Sequence, residues 1–169
     1  ISNYIDKDTL SASGDKNTCE VDNDNIQITY NTFKIQSYNN SSLYLNSSSS
    51  TSLGISTSNT SGNLDFAFLT SSDIENIKNA QTSAVFGAST ISTGVEYYIY
   101  NPTTKVYLSV LTGTSTSITQ TSLTEASTFK IETLNNGWRS GYGIYYNSST
   151  KIYLSYSGSS YYGYQVSTS

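Results

Sequence analysis

The sequence predicts an all-β domain, and three observations carry that expectation. Ser, Thr and Asn occupy 33, 23 and 16 of the 169 positions, whereas acidic and basic residues number only twelve and eight. The residues that build helical bundles are therefore scarce. Sixteen Tyr, five Phe and one Trp join the β-branched residues in suiting short, half-buried strands, and set the chain apart from disordered polar sequences. The third observation is a hairpin written three times. Residues 33–46 read FKIQSYNNSSLYLN, residues 97–109 read YYIYNPTTKVYLS, and residues 142–155 read YGIYYNSSTKIYLS. Each has an alternating strand, a polar turn and a second strand that ends in Tyr-Leu followed by Asn or Ser.

Residues 1–24 form a polar leader containing Asp15, Glu20, Asp22 and Asp24. Residues 25–169 form one domain, long enough to bury a core without disulfides. An alternating strand, residues 25–30, precedes hairpin one. Hairpin one is followed by a third strand at Leu53-Gly54-Ile55-Ser56 and a fourth at Asp65-Phe66-Ala67-Phe68-Leu69. Hairpin two is followed likewise by Ser117-Ile118-Thr119-Gln120 and Thr128-Phe129-Lys130-Ile131; hairpin three has a third strand, Tyr164-Gln165-Val166-Ser167. Tyr44 and Tyr107 lie 63 positions apart, Tyr107 and Tyr153 only 46, so unit one carries an insertion. Ser72-Asp73-Ile74-Glu75, with Ile77 at helical spacing, predicts a helix over 72–80 within it.

Three four-stranded units of this kind resemble the β-trefoil superfamily over roughly residues 25–169. The resemblance implies a closed threefold barrel, in which the N-terminal strand 26–30 fills the place of a twelfth strand and closes the edge. The Gln-x-Trp element of ricin-type lectins is missing, with Thr128-Phe129-Lys130-Ile131 in its place. The disulfides of Kunitz-type inhibitors are missing too. The likeness is thus to divergent haemagglutinins and cell-surface binding modules. An immunoglobulin-like β-sandwich is the alternative arrangement for such a string of short strands.

Chemistry is constrained by what the chain lacks. With no His and a single Cys19, the serine-type triad, the Cys-His nucleophile and the usual zinc sites are excluded. The pairs Asp6/Asp8 and Asp22/Asp24 fall in the polar leader, and Asp65, Glu96, Glu125 and Glu132 are scattered, so the chain is not expected to be an enzyme. No metal and no cofactor is expected, the acidic run 15–24 lacking the glycine turn and bidentate Glu of a helix-loop-helix calcium site. Net charge −4 does not fit a nucleic-acid partner. No apolar run reaches the roughly 18 residues of a membrane span. The chain starts at Ile1 with no basic and apolar leader, and reads as a mature product or excised domain. Sequons at Asn39, Asn40, Asn46, Asn59 and Asn147 suit a secreted or cell-surface glycoprotein, Asn101 being excluded by Pro102.

Aromatic residues carry the functional expectation. Asn135-Asn136-Gly137-Trp138-Arg139-Ser140-Gly141 holds the sole Trp and the sole Arg in a polar turn, and Tyr156, Tyr161, Tyr162 and Tyr164 cluster around Ser157-Gly158-Ser159-Ser160. Neutral sugars are held by an aromatic platform with amide and hydroxyl groups beside it. Trp138, Asn147, Tyr156, Tyr161 and Tyr162 are the candidate carbohydrate-binding residues, with Tyr100 and Asn101 as secondary candidates in hairpin two. The expected partner is a neutral glycan or cell-surface glycoprotein. Tyrosine-rich loops also bind proteins at low entropy cost, which makes an adhesion or toxin-associated module the alternative. Protease inhibition through a protruding loop at 70–90 is a second alternative.

Overall fold

The computed structural model describes residues 28–37, 42–58, 61–111, 117–135, 140–147, 150–157 and 160–166. Among the described residues twelve strands and one α-helix follow in order: β1 (Ile28–Tyr30), β2 (Tyr44–Ser49), β3 (Ser52–Ser56), β4 (Ala67–Leu69), α1 (Ser71–Lys78), β5 (Ala84–Phe86), β6 (Tyr98–Asn101), β7 (Val106–Leu111), β8 (Ser117–Thr121), β9 (Lys130–Asn135), β10 (Ser140–Asn147), β11 (Lys151–Ser157) and β12 (Ser160–Val166). The all-β class holds. The 1–24 leader lies outside the described residues.

The three hairpins form in equivalent register. Gln36 stands opposite Tyr44, Tyr100 opposite Tyr107 and Tyr145 opposite Tyr153. Each Tyr-Leu strand then pairs with the strand that follows it: β2 with β3, β7 with β8, and β11 with β12. Alternation decides the faces. The Leu of each Tyr-Leu pair enters one shared core, Leu45 and Leu108 fully and Leu154 in part.

Fourth strands join the units. Phe66, just before β4, exchanges backbone hydrogen bonds with Phe33 at 2.7 and 2.9 Å, and β4 pairs with β6 of the next unit. Phe129 does the same with Tyr97 at 2.8 Å in both directions, and β9 pairs with β10. First and fourth strands therefore alternate from Phe33 around to β10. Inside lie Ile35, Phe66, Phe68, Ile99, Ile118, Phe129 and Ile131, with Ile144 partly buried against them. Among the described residues this ring is open between segment 33–37 and β10.

The N-terminal strand does not occupy that opening. β1 pairs in parallel with β5, inside the insertion, with Tyr30 opposite Phe86. The expected closure of a barrel by residues 26–30 is thereby corrected. The local reason is the turn after β5: Asn31 bonds to the carbonyls of Phe86 at 2.8 Å and Gly87 at 3.0 Å. Gly87 has φ +93°, and a Cβ there would meet the Asn31 carbonyl oxygen at 3.0 Å, so only glycine lets the two segments approach.

Helix α1 also starts earlier than expected. Thr70, not Ser72, is its N-cap, in a reciprocal capping box with Asp73 rather than Glu75. Its buried face, Ile74 and Ile77, packs with Ile28, Tyr30, Ala67, Leu69, Tyr100 and Tyr107 in a second core. Residues 70–90 are thus largely a packed helix and a paired strand, not a protruding inhibitory loop. Strands β4 and β6 lie between the two cores and are buried on both faces, Ile99 facing one and Tyr100 the other.

Candidate functional site

Hairpin three carries Asn147, Tyr156, Tyr161 and Tyr162 on three strands but does not bring them all together: Asn147 lies beside the start of β11 and the tyrosines near its end. Asn147 ends β10 opposite Lys151. Tyr156 on β11 stands opposite Tyr161 on β12, and Ser155 opposite Tyr162. Positions 156 and 161 therefore share one face of the ribbon, with 162 on the other. Trp138 lies outside the described residues, as do Asn39, Asn40 and Asn59. Asn46 is half-buried in β2 opposite Gly54.

The secondary candidates in hairpin two are structural. Tyr100 is 1% and Asn101 0% exposed, so neither offers its side chain to a ligand. Asn101 builds the turn: its Oδ1 accepts from the backbone N–H of Thr103 at 3.0 Å and of Thr104 at 3.1 Å, and its Nδ2 donates to the carbonyl of Asn63 at 2.9 Å. A short Asx side chain that replaces backbone partners in this way shapes a tight turn. Thr104 in turn meets Ser47 Oγ at 2.6 Å, and Ser47 donates to Gln120 Oε1 at 2.8 Å, tying hairpin one to hairpin two.

Sequence reasoning missed a polar and aromatic cluster on the sheet β9-β10-β11. Glu132 stands opposite Gly143, and with no side chain at Gly143 its carboxylate crosses β10 to reach β11. There Tyr153 donates its hydroxyl to Glu132 Oε1, and Lys151 Nζ donates to Oε2 at 3.0 Å. Lys151 Nζ also sits 4.6 Å from the ring centre of Tyr145, a cation–π geometry. Tyr145 packs beside Tyr153 with ring centres 5.7 Å apart. The signal available in the sequence was the strand alternation that puts Tyr145, Lys151 and Tyr153 on one face; the reach of Glu132 needed the register.

Partial burial raises the Glu132 carboxyl, but the hydrogen bonds from Tyr153 and Lys151 outweigh it and hold the group below its ordinary value. The Tyr153 phenol is raised by burial and then by its bond to Glu132. At neutral pH the cluster is a carboxylate, an ammonium and the Tyr153 phenol beside the Tyr145 ring. Such a set can exchange hydrogen bonds with hydroxyls beside an aromatic face. Among the described residues no helix is long and apolar enough to cross a membrane. Comparison with known proteins finds no matching protein family, no similar curated protein and no similar solved structure.

Proposed function

We propose that this chain is a secreted, non-catalytic carbohydrate-binding module of the β-trefoil type, with its sugar site on hairpin three. The trefoil reading is supported by the equivalent register of the three hairpins and by fourth strands that link each unit to the next. The observation that carries the site is a contrast. Hairpin two is sealed beneath β1 and α1, whereas hairpin three keeps Lys151 and Tyr153 part-exposed beside Glu132, on the strands that also carry Tyr156, Tyr161 and Tyr162. Trp138, which follows β9 and precedes β10 in the sequence, is the stacking platform of this reading.

A glycan array tests this. Wild type binds a neutral sugar class, and Trp138→Ala and Tyr161→Ala each weaken that binding roughly five- to thirtyfold by loss of stacking, about 1–2 kcal/mol apiece. Absence of wild-type binding to every sugar class overturns the reading. A partner captured equally well after deglycosylation transfers the function to protein recognition, as in an adhesion or toxin-associated module.

A further inference from the structure

Among the described residues two ion pairs measure 3.0 Å, Lys34–Asp65 and Lys151–Glu132. A surface pair of this kind adds little stability, because two long side chains must be held in one geometry. The second pair is held from both ends. Tyr153 donates to the Glu132 oxygen that Lys151 does not use, and the Lys151 ammonium rests 4.6 Å from the centre of the Tyr145 ring. The two rings pack at 5.7 Å, and Gly143 leaves the space through which Glu132 reaches them. Holding the pair uses only part of its bonding capacity, since a carboxylate accepts more than two hydrogen bonds and an ammonium donates more than one. With 27% of the Glu132 side chain and 33% of the Lys151 side chain exposed, the pair meets solvent. Alternation puts position 162 on this face as well: Ser155, two residues beyond Tyr153, stands opposite Tyr162.

The geometry points to a diol-reading pair: Glu132 and Lys151 together bind two adjacent hydroxyls of a neutral sugar, one hydroxyl donating to the carboxylate and its neighbour accepting from the ammonium. This rests on the carbohydrate reading above and names the group on the sugar that is recognised. Neighbouring ring hydroxyls that are both equatorial, or one axial and one equatorial, keep their oxygens close enough to meet an acceptor and a donor 3.0 Å apart. A trans-diaxial pair points to opposite sides of the ring and cannot. Because a hydroxyl both donates and accepts, each can satisfy the member of the pair it faces, and the charge on that member strengthens the bond. Opposite charges in contact also suit a ligand without charge: a carboxylate on the ligand would meet Glu132 as a like charge, and an amine would meet Lys151. Discrimination follows from the bonds that are lost, since a site built to bond a hydroxyl rejects the analogue lacking it.

The test is calorimetric titration of the full chain with the methyl glycoside of the neutral sugar that the glycan array identifies, and then with its monodeoxy analogues. On wild type, removal of either of two hydroxyls on adjacent carbons is expected to lower affinity roughly tenfold, because each bonds a charged group. Glu132→Gln and Lys151→Met each lower affinity for the parent sugar by a similar factor, and in each variant deleting the hydroxyl it had bonded costs nothing further. Lys34→Met, which breaks the other ion pair, leaves binding unchanged. The deoxy series on wild type needs no variant, so it decides the matter even where a substitution disturbs folding. Absence of wild-type binding to any methyl glycoside overturns the carbohydrate reading and the diol assignment with it. Binding that tolerates the loss of every hydroxyl, or that Glu132→Gln and Lys151→Met leave intact, overturns the diol assignment alone.

Discussion

Hairpins two and three place a tyrosine pair at the same register and give it different environments: Tyr100 and Tyr107 are both buried, whereas Tyr145 is buried and Tyr153 part-exposed. In hairpin two, Tyr100 and Tyr107 pack at 4.6 Å beside Tyr30 and Tyr98, and Leu69 occupies the position that Glu132 holds in the third. Tyr107 is fully buried, its hydroxyl finds no partner among the described residues, and burial pushes its phenol far above the ordinary value. In hairpin three, Tyr145 and Tyr153 lie at 5.7 Å, Gly143 replaces Tyr98, and the phenol of Tyr153 bonds to Glu132. The difference comes from outside the hairpins. The insertion supplies α1 and β5, and β5 recruits β1, so one unit's wet face becomes a second core. The same local sequence thus serves as core in one place and as candidate site in another.

The largest effect expected from breaking this asymmetry concerns the leucines behind the pairs. Leu108 is 1% exposed and sits with Ile99 and Phe129; Leu154 is only partly buried. Leu108→Ala is expected to lower unfolding stability by about 3–4 kcal/mol, and Leu154→Ala by about 1–2 kcal/mol. Urea denaturation followed by tyrosine fluorescence measures both. Equal losses would mean that the shared core packs as deeply behind hairpin three as behind hairpin two.

Matched hydroxyl deletions probe the pairs themselves and should move stability in opposite directions. Tyr107→Phe removes a buried hydroxyl without a partner and is expected to stabilise by about 1 kcal/mol. Tyr153→Phe removes a donor to a carboxylate and is expected to destabilise by about 1 kcal/mol. The shift in denaturation midpoint gives each sign. A destabilised Tyr107→Phe would show that the phenol has a partner in solution.

How far the sequence could be read follows the same division. The hairpins and third strands were legible because alternation and the Tyr-Leu repeat are local and occur three times. The buried state of Tyr100 and Asn101 was not, since Tyr100 is covered from β1 and α1 and Asn101 bonds to Asn63, all distant in the chain. The partner of β1 was equally hidden. A three-residue strand carries little register information, and its parallel pairing to β5 rests on contacts of Asn31 with Phe86 and Gly87. The Thr70 cap lost to the Ser72 pattern because both fit a capping box, and only the packing of Ile74 and Ile77 decides the start. Glu132 looked scattered along the chain, yet the β9-β10 register sets it across Gly143 from Lys151 and Tyr153. For Trp138 and the tyrosine side chains at 156, 161 and 162 the sequence reading still stands alone.

The smallest effect, and the one most specific to hairpin three, is in pH. Glu132 has a folded-state value below its ordinary one, despite the opposing effect of burial, because Tyr153 and Lys151 donate to it. A group lowered on folding contributes stability that is fully present above its unfolded value, about 4.5, and is lost as pH falls through the lower folded value. The expected outcome is therefore a difference in urea midpoint between wild type and Glu132→Gln that is constant from pH 7 to 5.5 and shrinks on going from pH 5 to 3. The raised value of Lys151, due first to its hydrogen bond with Glu132, predicts a second loss only at strongly alkaline pH, as the ammonium deprotonates. Hairpin two has Leu69 at the equivalent position and no carboxylate to titrate, so Tyr107→Phe should show no such acid dependence. If the Glu132→Gln difference is flat down to pH 3, the carboxylate is not held by its two donors in solution, and the polar face proposed for hairpin three reduces to its tyrosines.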